Sequence, residues 1–198
     1  MSGADPTPTL VCLIGPPAVG KMTVGQALCR RTGFTFFPGH VVGEMLAAYF
    51  PFGTPSFVRL TQAWRRMFFE EARLVGLDVV MTVAWRFDMP ADTETIRSWV
   101  QPYVNGGRVR CVELLSPLSV RLERNRTENR LRHKNQYWVT DAYVRDIDTA
   151  HRYDSDGAFP FDLPHLRLET AHLSAELSAQ RIAEHFDLPW RENRDSEL

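Results

Sequence analysis

Gly15-Pro16-Pro17-Ala18-Val19-Gly20-Lys21-Met22-Thr23 is the stretch from which the fold of this 198-residue chain is read. It has the form G-x-x-x-x-G-K, with a hydroxyl residue one place later than is usual. Glycines let the backbone curl tightly, so that successive N–H groups point inward and cradle a polyphosphate. A helix starting at Lys21 adds its positive N-terminal end, and the lysine ammonium adds a full charge near the outer phosphates. The flanks fit this reading. Residues 9–14 (TLVCLI) form a short apolar, partly β-branched run, as a buried parallel strand requires. Val24, Ala27 and Leu28 recur at helical spacing until Gly33, a C-terminal stop.

Outward from the loop, strands and helices alternate. The pattern predicts further strands over 34–37, 77–84, 108–115 and 165–168, the second of these (LDVVMTVA) being the strongest. Between them lie an apolar stripe of Val42, Met45, Leu46 and Tyr49, a long helix over 57–74 with Leu60, Trp64, Met67 and Phe68 facing inward, and a helix over 92–104 carrying Ile96, Trp99 and Val100. A helix begins near Pro117, another spans 140–152, and Ser174 caps a last one. Alternation of this kind means an α/β fold: a parallel five-stranded sheet covered on both faces, a three-layer αβα P-loop NTPase architecture. Right-handed crossovers place the loops 15–21, 38–44, 85–92, 116–138 and 169–174 along one edge. The expected organisation is one domain over 9–188 with disordered tails at 1–8 and 189–198.

Net charge is −1 at pH 7, which gives no support to a bulk nucleic-acid binder. Cys12, Cys29 and Cys111 are widely spaced in apolar surroundings and read as reduced core thiols without metal spacing. Neither a signal peptide nor an apolar run of the ~20 residues that span a bilayer is found, so a cytoplasmic protein is expected. The histidines show no zinc spacing, and no G-x-S-x-G signature suggests covalent hydrolysis.

Several residues at the expected loop edge can carry chemistry. His40 and Glu44 stand four apart at a helix start and so share one face. His40 titrates near neutrality and suits a general base or a donor to an acceptor, although a structural histidine reads nearly as well. After the third strand, Arg86 suits an anionic acceptor or phosphate, Asp88 a base or a partner of Mg²⁺-bound water, and Trp85 either stacking on a substrate ring or core packing. Asp78 begins that strand and stands on the wrong side. Arg59, Arg65 and Arg66 are further substrate-side candidates, which a solvated helix face also explains. Residues 118–134 hold six Lys/Arg against two acids. A solvated basic helix face or an RNA-binding patch are the competing readings of that segment.

The loop and the order of elements resemble the small P-loop kinases of the nucleoside-monophosphate, shikimate and gluconate kinase type, a broad group that includes chloramphenicol phosphotransferase. The opening GPPAVGKMTVGQAL looks closer still to bacterial AAA-labelled, shikimate-kinase-like proteins. The resemblance covers most of 9–188, with only the loop itself specific. It implies ATP and Mg²⁺ as cofactors, the backbone of 15–21 and Lys21 around the phosphates, and a helical lid at about 124–139. Arg124, Arg126, Arg130 and Arg132 would close over the transferring phosphoryl group from that lid. Met22 stands where most such loops have a Mg²⁺-binding hydroxyl. Adenylate-kinase-like loops share this departure, which implies that Thr23 contacts the α-phosphate side and that Mg²⁺ is held mainly through water. It also implies an acceptor-binding role for the region of His40 and Glu44, and adenine packing at 170–174. The expected function is therefore an ATP-dependent phosphotransferase acting on a small molecule. The competing expectations are a nucleotide-dependent binding module and a polynucleotide 5′-hydroxyl kinase.

Overall fold

The computed structural model describes residues 7–127 and 140–191. Five strands, β1 (Thr9–Ile14), β2 (Thr35–Phe37), β3 (Val79–Val83), β4 (Arg108–Leu115) and β5 (His165–Glu169), pair in parallel in the order β2-β3-β1-β4-β5. The helices among the described residues are α1 (Lys21–Thr32), α2 (Val41–Ala47), α3 (Pro55–Leu74), α4 (Pro90–Gly106), α5 (Leu118–Asn125), α6 (Asp141–Ala150) and α7 (Ala175–Phe186). This is the α/β, three-layer architecture that the alternation predicts. None of these helices is long and apolar enough to cross a membrane.

The central strand shows why the layers form. Every residue of β1 is buried, because neighbours cover both faces of the sheet. Leu10, Cys12 and Ile14 pack with Phe69 and Ala72 of α3 and with Trp99 and Val100 of α4. Val11 and Leu13 pack on the other side with Ala27 and Leu28 of α1 and with Ala179 and Ile182 of α7. Each buried aliphatic side chain contributes about 1.5–3 kcal/mol. Hydroxyl caps start three helices: Thr54, Thr140 and Ser174 accept from the N–H groups of Phe57, Tyr143 and Leu177.

The long helix α3 departs from its expected face. Leu60, Trp64 and Met67 are exposed, and the buried positions are Phe57, Thr61, Phe69 and Ala72. The outward set also satisfies a 3.6-residue period. What places the other face inward is its fit against Phe37 and α4, with the polar Thr61 and Arg65 set along a cavity. Met45 and Tyr49 likewise face outward. The expected lid at 124–139 begins in the last turn of α5, and its greater part, 128–139, lies outside the described residues.

Glu113 on β4 is fully buried and ties the strand-rich end to the segment that follows α6. Its Oε1 accepts from the Ser155 N–H at 2.9 Å, and its Oε2 stands 3.2 Å from His165 Nε2. Burial alone would raise this carboxyl, but the His165 imidazole beside Oε2 and the Ser155 N–H on Oε1 outweigh it and hold the pKa down at about 2. The folded value lies below the unfolded one, so the contribution is present above about pH 4.5 and is lost as pH falls towards 2. Glu113→Gln should lower the unfolding free energy at neutral pH by about 3–5 kcal/mol, read from urea midpoints, and flatten the acid limb of the stability curve. An unchanged acid limb would contradict the assignment.

Candidate active site

The phosphate-type loop joins the end of β1 to α1 and closes through unusual backbone. Gly15 has φ 141° and Gly20 has φ 108°, and between them Ala18 adopts a left-handed conformation at φ 64°. Gly15 also runs against β4, where an added Cβ would meet the Leu114 carbonyl oxygen at 2.5 Å. Gly20 caps α1 without a side-chain hydrogen bond, and the first turn holds no acidic residue. The first N–H groups of α1 are thus left for an anion. Lys21 Nζ donates to the carbonyl oxygens of Gly15 and Pro16 at 2.5 and 2.7 Å, folding back over its own loop. Thr23 Oγ1 donates to Gly20 O at 3.1 Å, within the first turn of the helix.

Arg124, from the last turn of α5, fastens this loop to the far side of the site. Its Nη1 donates to Val19 O at 2.8 Å and to Thr170 Oγ1 at 3.1 Å, and its Nη2 donates to Thr170 O at 2.5 Å. Burial lowers its pKa, but the guanidinium remains charged. Arg126 turns away, pairing with Asp141 at 2.6 Å, and does not line the cavity. Arg130 and Arg132 lie outside the described residues.

One cavity of about 1040 Å³ runs from the loop across the ends of β1, β3 and β2. Its lining takes in residues 17–24, His40, Arg65, Arg86, Arg124, His151 and Thr170. Among the described residues, the Lys and Arg side chains in the lining are Lys21, Arg65, Arg86 and Arg124, against one carboxylate, Asp92. Asp92 is already engaged, since Arg86 holds it through Nε and Nη2 at 2.7 and 2.6 Å. The expected substrate-side residues divide. His40 lines the cavity and stands 3.9 Å from Glu44 on the next turn, whereas Glu44 is outside the lining. Arg59 is exposed, within reach of Ser56, and also outside it. Trp85 is fully buried: it stacks on Phe87 at 4.7 Å, and its indole donates to Thr93 Oγ1. It is a core residue with no face for a substrate ring.

Asp88 does not reach the cavity itself. Its carboxylate accepts from the Arg152 N–H at 2.9 Å and faces His151 Nδ1 at 3.1 Å, and these hydrogen bonds, His151 first, hold its pKa below the usual range. His151 lines the cavity, and Asp88 orients its imidazole through Nδ1. The sequence reading missed His151 and Tyr153, which also lines the cavity. Both follow α6 in a stretch with no local motif, and only the folding of that stretch back over β3 brings them in. Asp78 sits at the opposite sheet edge, accepting from the Thr9 N–H at 2.7 Å. Among the described residues no group of three His, Cys, Asp or Glu side chains is spaced to hold a metal.

No family model matches this sequence, and no curated protein matches it either. Solved structures do. A sugar kinase from Janibacter sp. HTCC2649 is similar with a TM-score of 0.60 at 14% identity, over 92% of this chain and 96% of that one. A gluconokinase from Sinorhizobium meliloti 1021 is similar with a TM-score of 0.57 at 18% identity, over 92% and 97%. The APS kinase CysC of Mycobacterium tuberculosis, solved in complex with AMPPNP and APS, matches with a TM-score of 0.57 at 18% identity, over 92% and 99%. At these identities the likeness is one of fold, and it extends over nearly the whole chain: the protein has the fold of the small P-loop kinases.

Proposed function

We propose that this chain is an ATP-dependent phosphotransferase that moves the γ-phosphate to a hydroxyl group of a small-molecule acceptor. The observation that carries this reading is the charge set in the cavity: among the described lining residues Asp92 is neutralised by Arg86, and Lys21, Arg65 and Arg124 add three further positive charges. Such a site suits a polyanion, and its volume of about 1040 Å³ stands at the upper end of the roughly 300–1000 Å³ of small-molecule pockets. The fold shared with the kinases above supports the same reaction class.

The residues present fit a nucleoside triphosphate. The loop backbone and the first turn of α1 offer N–H donors, and Lys21 exchanges two loop carbonyls for the β,γ-phosphates. Arg124 holds the loop at Val19 and Thr170 and adds charge beside them. Thr23 offers the nearest hydroxyl of the loop, so Mg²⁺ would be held by phosphate oxygens and water with Thr23 beside them. Bound there, the ion supplies charge neutralisation on the phosphates. The reduced thiols Cys12, Cys29 and Cys111 support a cytoplasmic setting.

His151 acts as general base, with Asp88 fixing its tautomer. The acceptor oxygen forms a bond to the γ-phosphorus, the bond from that phosphorus to the β,γ-bridging oxygen breaks, and the electron pair leaves on ADP. The acceptor proton passes to His151 Nε2. His40, on the acceptor side of the loop, donates to the acceptor or takes this role in its place.

Two measurements test the reading. Calorimetric titration with Mg·ATP should show binding that Lys21→Ala weakens by about 10–100-fold, the worth of a charge-assisted contact; no heat from the wild type, or an unaffected variant, would overturn it. Once an acceptor is in hand, His151→Gln should lower turnover by about 10²–10⁴-fold, while Mg·ATP binding persists. Equal loss in His40→Gln alone, with His151→Gln fully active, would transfer the role to His40.

A further inference from the structure

We propose that the outer face of α3 is the interface of a two-fold homodimer, in which the α3 helices of two copies pack antiparallel along a seam of Leu60, Trp64, Met67, Glu71 and Leu74. The inference does not depend on the phosphotransferase reading.

α3 is a 20-residue helix that already has one buried face, made by Phe57, Thr61, Phe69 and Ala72. A surface helix of this kind is expected to be polar on its other sides. This one is not. Leu60, Trp64, Met67 and Leu74 are exposed, at 37%, 36%, 58% and 63%. With Glu71 they follow one another at steps of four, three, four and three residues. That alternation is the 3.5-residue repeat of a helix seam that receives a second helix, and here it runs for about four turns. Trp64 is braced on the seam, stacking on Phe68 at 5.8 Å and on Phe37 of the edge strand β2 at 6.0 Å. An indole held from one side loses little freedom when its other side is covered.

α2, which packs on α3, adds a second outward stripe in Val41, Met45 and Tyr49, the last 78% exposed. Large side chains carry roughly 150–250 Å² each. At their exposures the seven apolar residues of the two stripes present on the order of 700 Å², near the roughly 800 Å² that each partner gives to a stable interface. Single exposed apolar residues are ordinary on a monomer, but a patch of this size marks a contact surface.

The charges on the helix select the partner and its direction. Arg59 sits beside Leu60 in the N-terminal half, and Glu70 and Glu71 lie in the C-terminal half. Glu71 is exposed, and its carboxylate pairs with no cation among the described residues. A parallel pair of helices would set Glu71 against Glu71 of the partner subunit, two like charges in one layer. An antiparallel pair sets Glu71 against Leu60 of the partner subunit, one residue from its arginine, and sets Trp64 against Met67 of the partner subunit. The two-fold axis makes every such contact twice. The helix is therefore complementary to itself in one direction, and a second copy of this chain is the partner that fits it.

The test is sedimentation equilibrium of the full chain over roughly 1–100 µM, with far-UV circular dichroism of each variant as the control for folding. A monomer–dimer equilibrium is expected. Met67→Glu, at a side chain that already stands in water, should weaken dimerisation by about 30-fold or more and leave the circular dichroism unchanged. Arg59→Glu and Glu71→Arg should each weaken it by about 3–30-fold, the worth of two symmetry-related ion pairs replaced by repulsion. The double variant, which exchanges the two charges, should return to within about threefold of the wild type. A chain that stays monomeric throughout the range, a dimer indifferent to Met67→Glu, or a double variant that dimerises no more tightly than the single ones would each overturn the proposal.

Discussion

The close approach of Gly15 to β4 is the constraint on which the site depends. With a Cβ meeting the Leu114 carbonyl oxygen at 2.5 Å, only glycine lets the chain leave β1 and turn within the width of the sheet. That turn sets Gly20 and the first N–H groups of α1 over the strand ends. It also puts the carbonyls of Gly15 and Pro16 where Lys21 reaches both. A wider turn would move the lysine and the helix end apart, and the charge they focus on one point would spread.

Around this fixed point, charge and burial divide the cavity into two halves. At one end Lys21 and Arg124 are held by backbone carbonyls, an arrangement in which an incoming anion replaces or extends existing hydrogen bonds. At the other, Arg65 is held by one carbonyl and an indole face, with aromatic and aliphatic walls about it. Between them the Asp88–His151 pair places an imidazole at the cavity wall while its carboxylate stays outside. The strand order sets the scale, because β3 stands between β2, where His40 follows, and the loop after β1, a separation of two strand spacings or roughly 10 Å.

The loop and the five strands were legible in the sequence because their signals are local. A glycine pattern between an apolar run and a helical period needs no knowledge of distant residues. The face of α3 was legible only at Phe68, which stacks on Phe37 against the core, since 60, 64 and 67 keep helical spacing as well as 57, 61, 65 and 69 do. The true inner face carries Thr61 and Arg65, polar residues that a core-seeking reading passes over and that the cavity accounts for. Trp85 was open between core and site, and contacts with Phe87, Phe159 and Phe161, most of them far along the chain, decide for the core. His151 carries no neighbouring motif at all; its role is visible only once Asp88, sixty-three residues earlier, is seen beside it.

Phosphorus NMR of Mg·ATP with the protein and a pool of hydroxylated small molecules tests most directly the claim that one cavity brings a nucleotide and an acceptor together. The account predicts a new phosphomonoester resonance that grows as ADP appears and that is lost in Lys21→Ala. ATP that binds and stays intact across the pool, with no phosphomonoester formed, would contradict it.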